Sequence, residues 1–64
     1  MTAVATHEEA HKEIERKQGT MEVAGGRTEN VTDVCAVTFL GMDPQFAHYG
    51  YDDADVAAAK QIHG

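Results

Sequence analysis

Asn30-Val31-Thr32-Asp33-Val34-Cys35-Ala36-Val37-Thr38-Phe39-Leu40-Gly41 is the stretch on which the fold turns. Read as a strand, residues 34–40 are apolar on both faces and call for cover on both. Read as a helix, residues 31–40 have Asn30 as N-cap, Asp33 in the first turn and Gly41 just past the end. A short apolar run satisfies either period. Val31, Thr32, Val34, Val37 and Thr38 all lose χ1 freedom in a helix, and that cost tips the reading toward a strand.

Upstream, residues 20–24 contain Thr20, Met21 and Val23 and read as a partner strand. A tight turn at Gly25-Gly26 would set Met21 opposite Asn30 and Glu22 opposite Glu29, a register that fails. A long polar loop over residues 25–33 is the better connection, with Met21 and Val23 matched to one alternating set of the second strand. The expected fold is therefore α+β: a single small domain over residues 1–64 with an N-terminal helix, a two-stranded hairpin with a long polar loop, and C-terminal helices. If residues 31–40 are helical, the chain is mainly α.

Acidic residues divide by type along the chain. Those before Asp33 are all Glu and the rest are all Asp, so the front half favours a helix and the back half is punctuated by caps and turns. Thr6 with Glu9 forms a capping box that starts a helix over residues 7–18. Glu8 with Lys12 and Glu13 with Lys17 support it, and Gly19 stops it. Its packing stripe joins Ile14 to Ala10, His7, His11 and Gln18. Asp43-Pro44 opens a short helical turn running toward Tyr49, ended by Gly50. Asp52 caps a last helix over residues 53–62, with Asp53 and Asp55 in its first turn and Lys60 in its later part, as the helix dipole favours.

The chain has 64 residues, 42% of them hydrophobic, with no Trp. A chain this short buries only about 60% of its unfolded surface, so its core is thin. The net charge of -6 repels phosphate backbones and anionic headgroups, so neither nucleic acid nor membrane is expected as a partner. The lone Cys35 excludes an internal disulfide and favours a reducing compartment. Residues 1–10 do not read as a signal peptide, and a cytoplasmic location is expected. Asn30-Val31-Thr32 matches the glycosylation acceptor pattern, which acts only in a secretory pathway. Cys35, inside an apolar strand with no base beside it, reads as a buried thiol.

His7-Glu8-Glu9-Ala10-His11 satisfies H-E-x-x-H. Two imidazoles one helical turn apart offer ring nitrogens from one face to Zn, with the intervening Glu as general base. Over these five residues the chain resembles the zinc metalloproteases, which implies a zinc cofactor, ligation by His7 and His11, and Glu8 as base. With six residues ahead of His7, no upstream substrate-binding sheet is expected, and Lys12, Glu13, Glu15, Arg16 and Lys17 mark a solvated helix. A third ligand is needed, for which His48, His63 and Asp52 are the candidates, His48 first. Asp52-Asp53-Ala54-Asp55 lacks the Gly and the bidentate Glu of an EF-hand and reads as capping.

Phe46-Ala47-His48-Tyr49-Gly50-Tyr51 gathers three of the four aromatic residues. Phe46 is expected in the core, while Tyr49 and Tyr51 are divided between core and recognition surface. The function expected first is that of a non-enzymatic binding or accessory protein: a small subunit, inhibitor or adaptor. It would use Tyr49, Tyr51, Asp52 and Asp53 against a larger protein partner or a second copy in a homo-oligomer. A small divalent-metal protein using His7, His11 and His48 is the alternative, with zinc hydrolysis a remote extension. A precursor of a modified peptide is a third reading.

Overall fold

The computed structural model describes residues 3–63. It contains three helices: α1 (Ala3–Gln18), α2 (Thr28–Phe39) and α3 (Asp53–His63), each packed against the other two. Short 3₁₀ turns lie at Ala24–Gly26 and Pro44–Phe46. Among the described residues there is no strand, so the α+β expectation with its hairpin is overturned and the mainly α alternative holds.

The deciding stretch is helical because its position rewards burial on nearly every side. Val31, Thr32, Asp33, Val34, Cys35 and Ala36 are all buried in α2, between α1 and α3. At about 1.5–3 kcal/mol for a fully buried Val-sized side chain, burial outweighs the few tenths lost to restricted χ1 rotation. Thr32 also turns its hydroxyl to the Thr28 carbonyl one turn back, at 2.6 Å, which satisfies a group that would otherwise be stranded in the interior. Gly41, at φ +75°, then reverses the chain, and the Met42 N–H returns to the Ala36 carbonyl at 2.9 Å. That left-handed conformation is the one a residue without Cβ adopts at no cost.

The expected first strand is instead an irregular link. Gln18 Nε2 donates to the carbonyls of Thr20 and Glu22, at 2.9 and 2.8 Å. Gly25 and Gly26, both at positive φ, make a tight turn into α2, and the Val23 N–H bonds Thr28 Oγ1 at 2.9 Å. Helix α1 ends at Gln18 as expected, with the Gly19 N–H on the Glu15 carbonyl at 2.7 Å. It begins at Ala3, however, so Thr6 is a buried residue within the helix rather than its cap.

Ala10, Ile14, Val31, Val34, Cys35, Ala36, Met42 and Ala59 form the core. The aromatics lie outside it: Phe46 is 43% exposed, which corrects its expected core role, and Phe39 lies on the surface stacked on His63. Helix α3 starts as expected. Asp55 N–H donates to Asp52 Oδ1 and Asp52 N–H to Asp55 Oδ2, both at 3.0 Å, a reciprocal cap. Asp55 is buried and also accepts from Arg27 Nη1 at 2.9 Å, a contact that joins the α2 entry to the α3 entry. The hydrogen bond and charge of Asp55 raise the Arg27 pKa, and the backbone N–H of Asp55 lowers that of Asp52.

Candidate metal centre

His7 and His11 occupy successive turns of α1 on the side facing α2. Across from them α2 presents Glu29, Thr32 and Asp33, spaced i, i+3 and i+4 so that one face carries all three. The rings of His7 and His11 meet edge to face with centroids 4.7 Å apart. His7 Nδ1 lies 2.8 Å from Asp33 Oδ1 and His7 Nε2 lies 3.2 Å from Glu29 Oε2. His11 Nε2 lies 2.8 Å from Glu29 Oε1, and His11 Nδ1 lies 3.2 Å from Thr32 Oγ1.

These partners assign the tautomers. Asp33 is 1% exposed, and its carboxylate accepts from His7 Nδ1–H through one oxygen and from the Tyr49 N–H, at 3.0 Å, through the other. The Thr32 hydroxyl has a single hydrogen, which it gives to the Thr28 carbonyl. Its oxygen therefore accepts from His11 Nδ1–H. With both Nδ1 atoms carrying hydrogen, both Nε2 atoms turn toward the oxygens of Glu29. In a neutral imidazole those nitrogens bear lone pairs, and lone pairs facing carboxylate oxygens at such distances repel unless a cation lies between them. Nε2 protons or a metal ion supply it.

A tetrahedral ion with ligand bonds of about 2.0–2.1 Å has ligand atoms about 3.3 Å apart. His7 Nε2 approaches Oε2 of Glu29 and His11 Nε2 approaches its Oε1, so an ion shared by all three groups would require these ligand atoms to close toward that edge length. His7, His11 and Glu29 are each partly buried, and one ligand atom from each lies within 4.8 Å of the other two. Asp33 and Thr32 stand behind the imidazoles as the hydrogen-bonded outer groups that orient metal-ligating histidines. Three protein ligands leave a fourth position of a tetrahedral ion for an exogenous group.

The group that converges with His7 and His11 is Glu29, a residue outside the candidates His48, His63 and Asp52. His48 is exposed and borders the same region as His7, but it is not one of the three converging groups. His63 lies on α3 with Nε2 3.0 Å from Cys35 Sγ and its ring 4.1 Å from that of Phe39. Asp52 is committed to the α3 cap and to Arg27 at 3.4 Å. Glu29 stands beside the two imidazoles because residues 28–39 are helical. The signal for it was the polar set Glu29, Thr32, Asp33 at helical spacing within an apolar run. Cys35 likewise has a base beside it after all, since α3 brings His63 onto it. Burial pushes its thiol up to about 11, and burial, with the nearby Lys17 charge, lowers His63.

The loop after the second 3₁₀ turn is fastened to this centre. Tyr49 stacks on His7 with ring centroids 5.6 Å apart. Asn30 Nδ2 donates to the carbonyls of Tyr49 and Gly50 at 3.2 and 3.0 Å, which is the role the Asn30-Val31-Thr32 acceptor residue plays in the fold. The Tyr49 phenol faces Glu29, whose hydrogen bond and charge raise its pKa. Tyr49, Tyr51, Asp52 and Asp53 are all exposed. A cavity of about 250 Å³ opens beside His7, walled by Val4, Glu8, Asp33, Phe46, His48 and Tyr49.

Comparison of the chain with protein-family models, with curated proteins and with solved structures returned no match. Among the described residues no helix is long and apolar enough to cross a membrane.

Proposed function

We propose that this protein binds a divalent transition-metal ion, zinc foremost, through His7 Nε2, His11 Nε2 and the Glu29 carboxylate. One observation carries the reading: Nδ1 of each imidazole lies against its own partner, Asp33 or Thr32, while both Nε2 atoms lie within 3.2 Å of the same carboxylate. Mixed imidazole and carboxylate donors suit zinc, whereas magnesium and calcium prefer all-oxygen sets. The ion competes with protons for its ligands, so binding strengthens as pH rises.

Calorimetric titration with zinc, alongside thermal unfolding with and without the ion, tests this. Zinc at a hundredfold excess over its dissociation constant stabilises the folded chain by about 2.7 kcal/mol, a rise in Tm of about 10–20 °C for a domain of this size. Magnesium leaves Tm in place. A Tm indifferent to zinc and to chelator alike removes the proposal.

A second reading draws on the exposed Tyr51, Asp52 and Asp53, next to the α3 entry: this edge is a docking surface for a larger protein or a second copy. Solvent-facing aromatic and acidic groups in so small a chain support it. A Tm that climbs with protein concentration is its expected signature for self-association, and a Tm flat across that range argues against it.

A further inference from the structure

We infer that the cavity beside His7 receives a small organic monocation, an ammonium group carried on a single-ring or branched aliphatic body. This goes beyond the metal reading and does not depend on it, since His11 and Glu29 lie outside the cavity wall. Size and lining set the body of the ligand. Val4, Phe46 and Tyr49, all exposed, put apolar and aromatic surface around a volume of about 250 Å³. A cavity of about 150 Å³ admits benzene, so a ring and a charged head fit here together. Aromatic side chains also attract cations through the negative faces of their rings.

Charge selects the sign of the ligand. The carboxylates of Glu8 and Asp33 belong to the wall, and among the described residues no Lys or Arg does. Asp33 and Glu29 face the imidazoles of His7 and His11. One added proton on each ring, or one divalent ion between them, at most balances those two acids, so that group is neutral or negative. Glu8 remains as a net negative charge, and among the described residues none forms an ion pair with it. The neutral ring of His48, also at the wall, offers a lone pair to an ammonium N–H. The Tyr49 phenol senses the same field: the hydrogen bond and charge of Glu29, and more weakly the charge of Asp33, raise its pKa.

Chemical-shift titration of the nitrogen-15-labelled full chain, at pH 8 and low salt with no metal added, tests this. The probes are benzylammonium, the uncharged benzyl alcohol, and methylammonium, which lacks the ring. Benzylammonium is expected to move the amide signals of Val4, Glu8, Phe46 and Tyr49 saturably and to bind about three- to tenfold more tightly than either of the others. Glu8→Gln weakens benzylammonium about threefold or more and leaves benzyl alcohol within about twofold. Phe46→Ala weakens both ring-bearing probes. Glu8 and Phe46 are exposed, so both variants keep the parent fold. A comparison probe binding as tightly as benzylammonium, an affinity for benzylammonium unchanged in either variant, or no saturable shift at these four residues overturns the assignment, whatever zinc does at the imidazoles.

Discussion

Thr32 and Asp33 settle the chemistry of the two histidines from behind. Each takes an Nδ1–H and thereby directs Nε2 to Glu29. Outer partners of this kind are worth about 10–100-fold in metal affinity. Thr32→Val, which keeps the volume and removes the acceptor, is therefore expected to weaken zinc by that factor in a competition assay with a chromophoric chelator. Glu29→Gln, which removes a ligand charge, should cost more than Thr32→Val; equal affinities would place the ion elsewhere. Cys35 carries a separate prediction. Its thiol is held to about 11 in the fold against an ordinary value of 9.0. Between those values the unfolded chain has lost the proton and the native chain keeps it, so stability falls as pH rises through that window, by on the order of 2 kcal/mol. Urea melts at pH 8.5 and 10.5, with Cys35→Ala as control, check the sign: the slope should be shallower in the variant. Of the candidate site, the juxtaposition of His7 and His11 was legible because both imidazoles lie within five residues on one helix. Glu29 was not, since its place depends on how a different element folds.

Helix α2 is where local and tertiary terms compete. Its β-branched residues argue for a strand, and its flanking turn residues argue for a helix. Burial between α1 and α3 decides the matter, and burial is a property of the partners rather than of the segment. The ends of elements were easier to read because their chemistry is local. Gly19 and Gly41 stop helices, and Asp52 caps α3 through reciprocal bonds with Asp55. The start of α1 was misplaced because Thr6 and Glu9 imitate a cap at a point the helix runs through. Packing energetics concentrate on Ile14, the one large aliphatic side chain of α1 that is fully buried. Ile14→Ala is expected to cost about 2–5 kcal/mol. A chain of this size has total stability of about 3–10 kcal/mol, so the variant sits near its unfolding threshold. Added zinc should restore a cooperative thermal transition to it. A variant as stable as the parent would show that α1 is not held by this contact.

At the scale of the whole molecule, a thin core and a net charge of -6 both work against compactness. The His7, His11, Glu29 centre ties α1 to α2, Tyr49 and Asn30 tie the following loop to the same place, and the Arg27–Asp55 contact ties α2 to α3. A divalent ion bound at the first of these adds positive charge and a cross-link at once. The most direct test of the account is the nitrogen-15 spectrum of the histidine rings, recorded with and without one equivalent of zinc at neutral pH. The account predicts that His7 and His11 shift at Nε2 and keep hydrogen on Nδ1, while His48 and His63 do not respond. Zinc on Nδ1 of either ring, or on His48 or His63 instead, would contradict it.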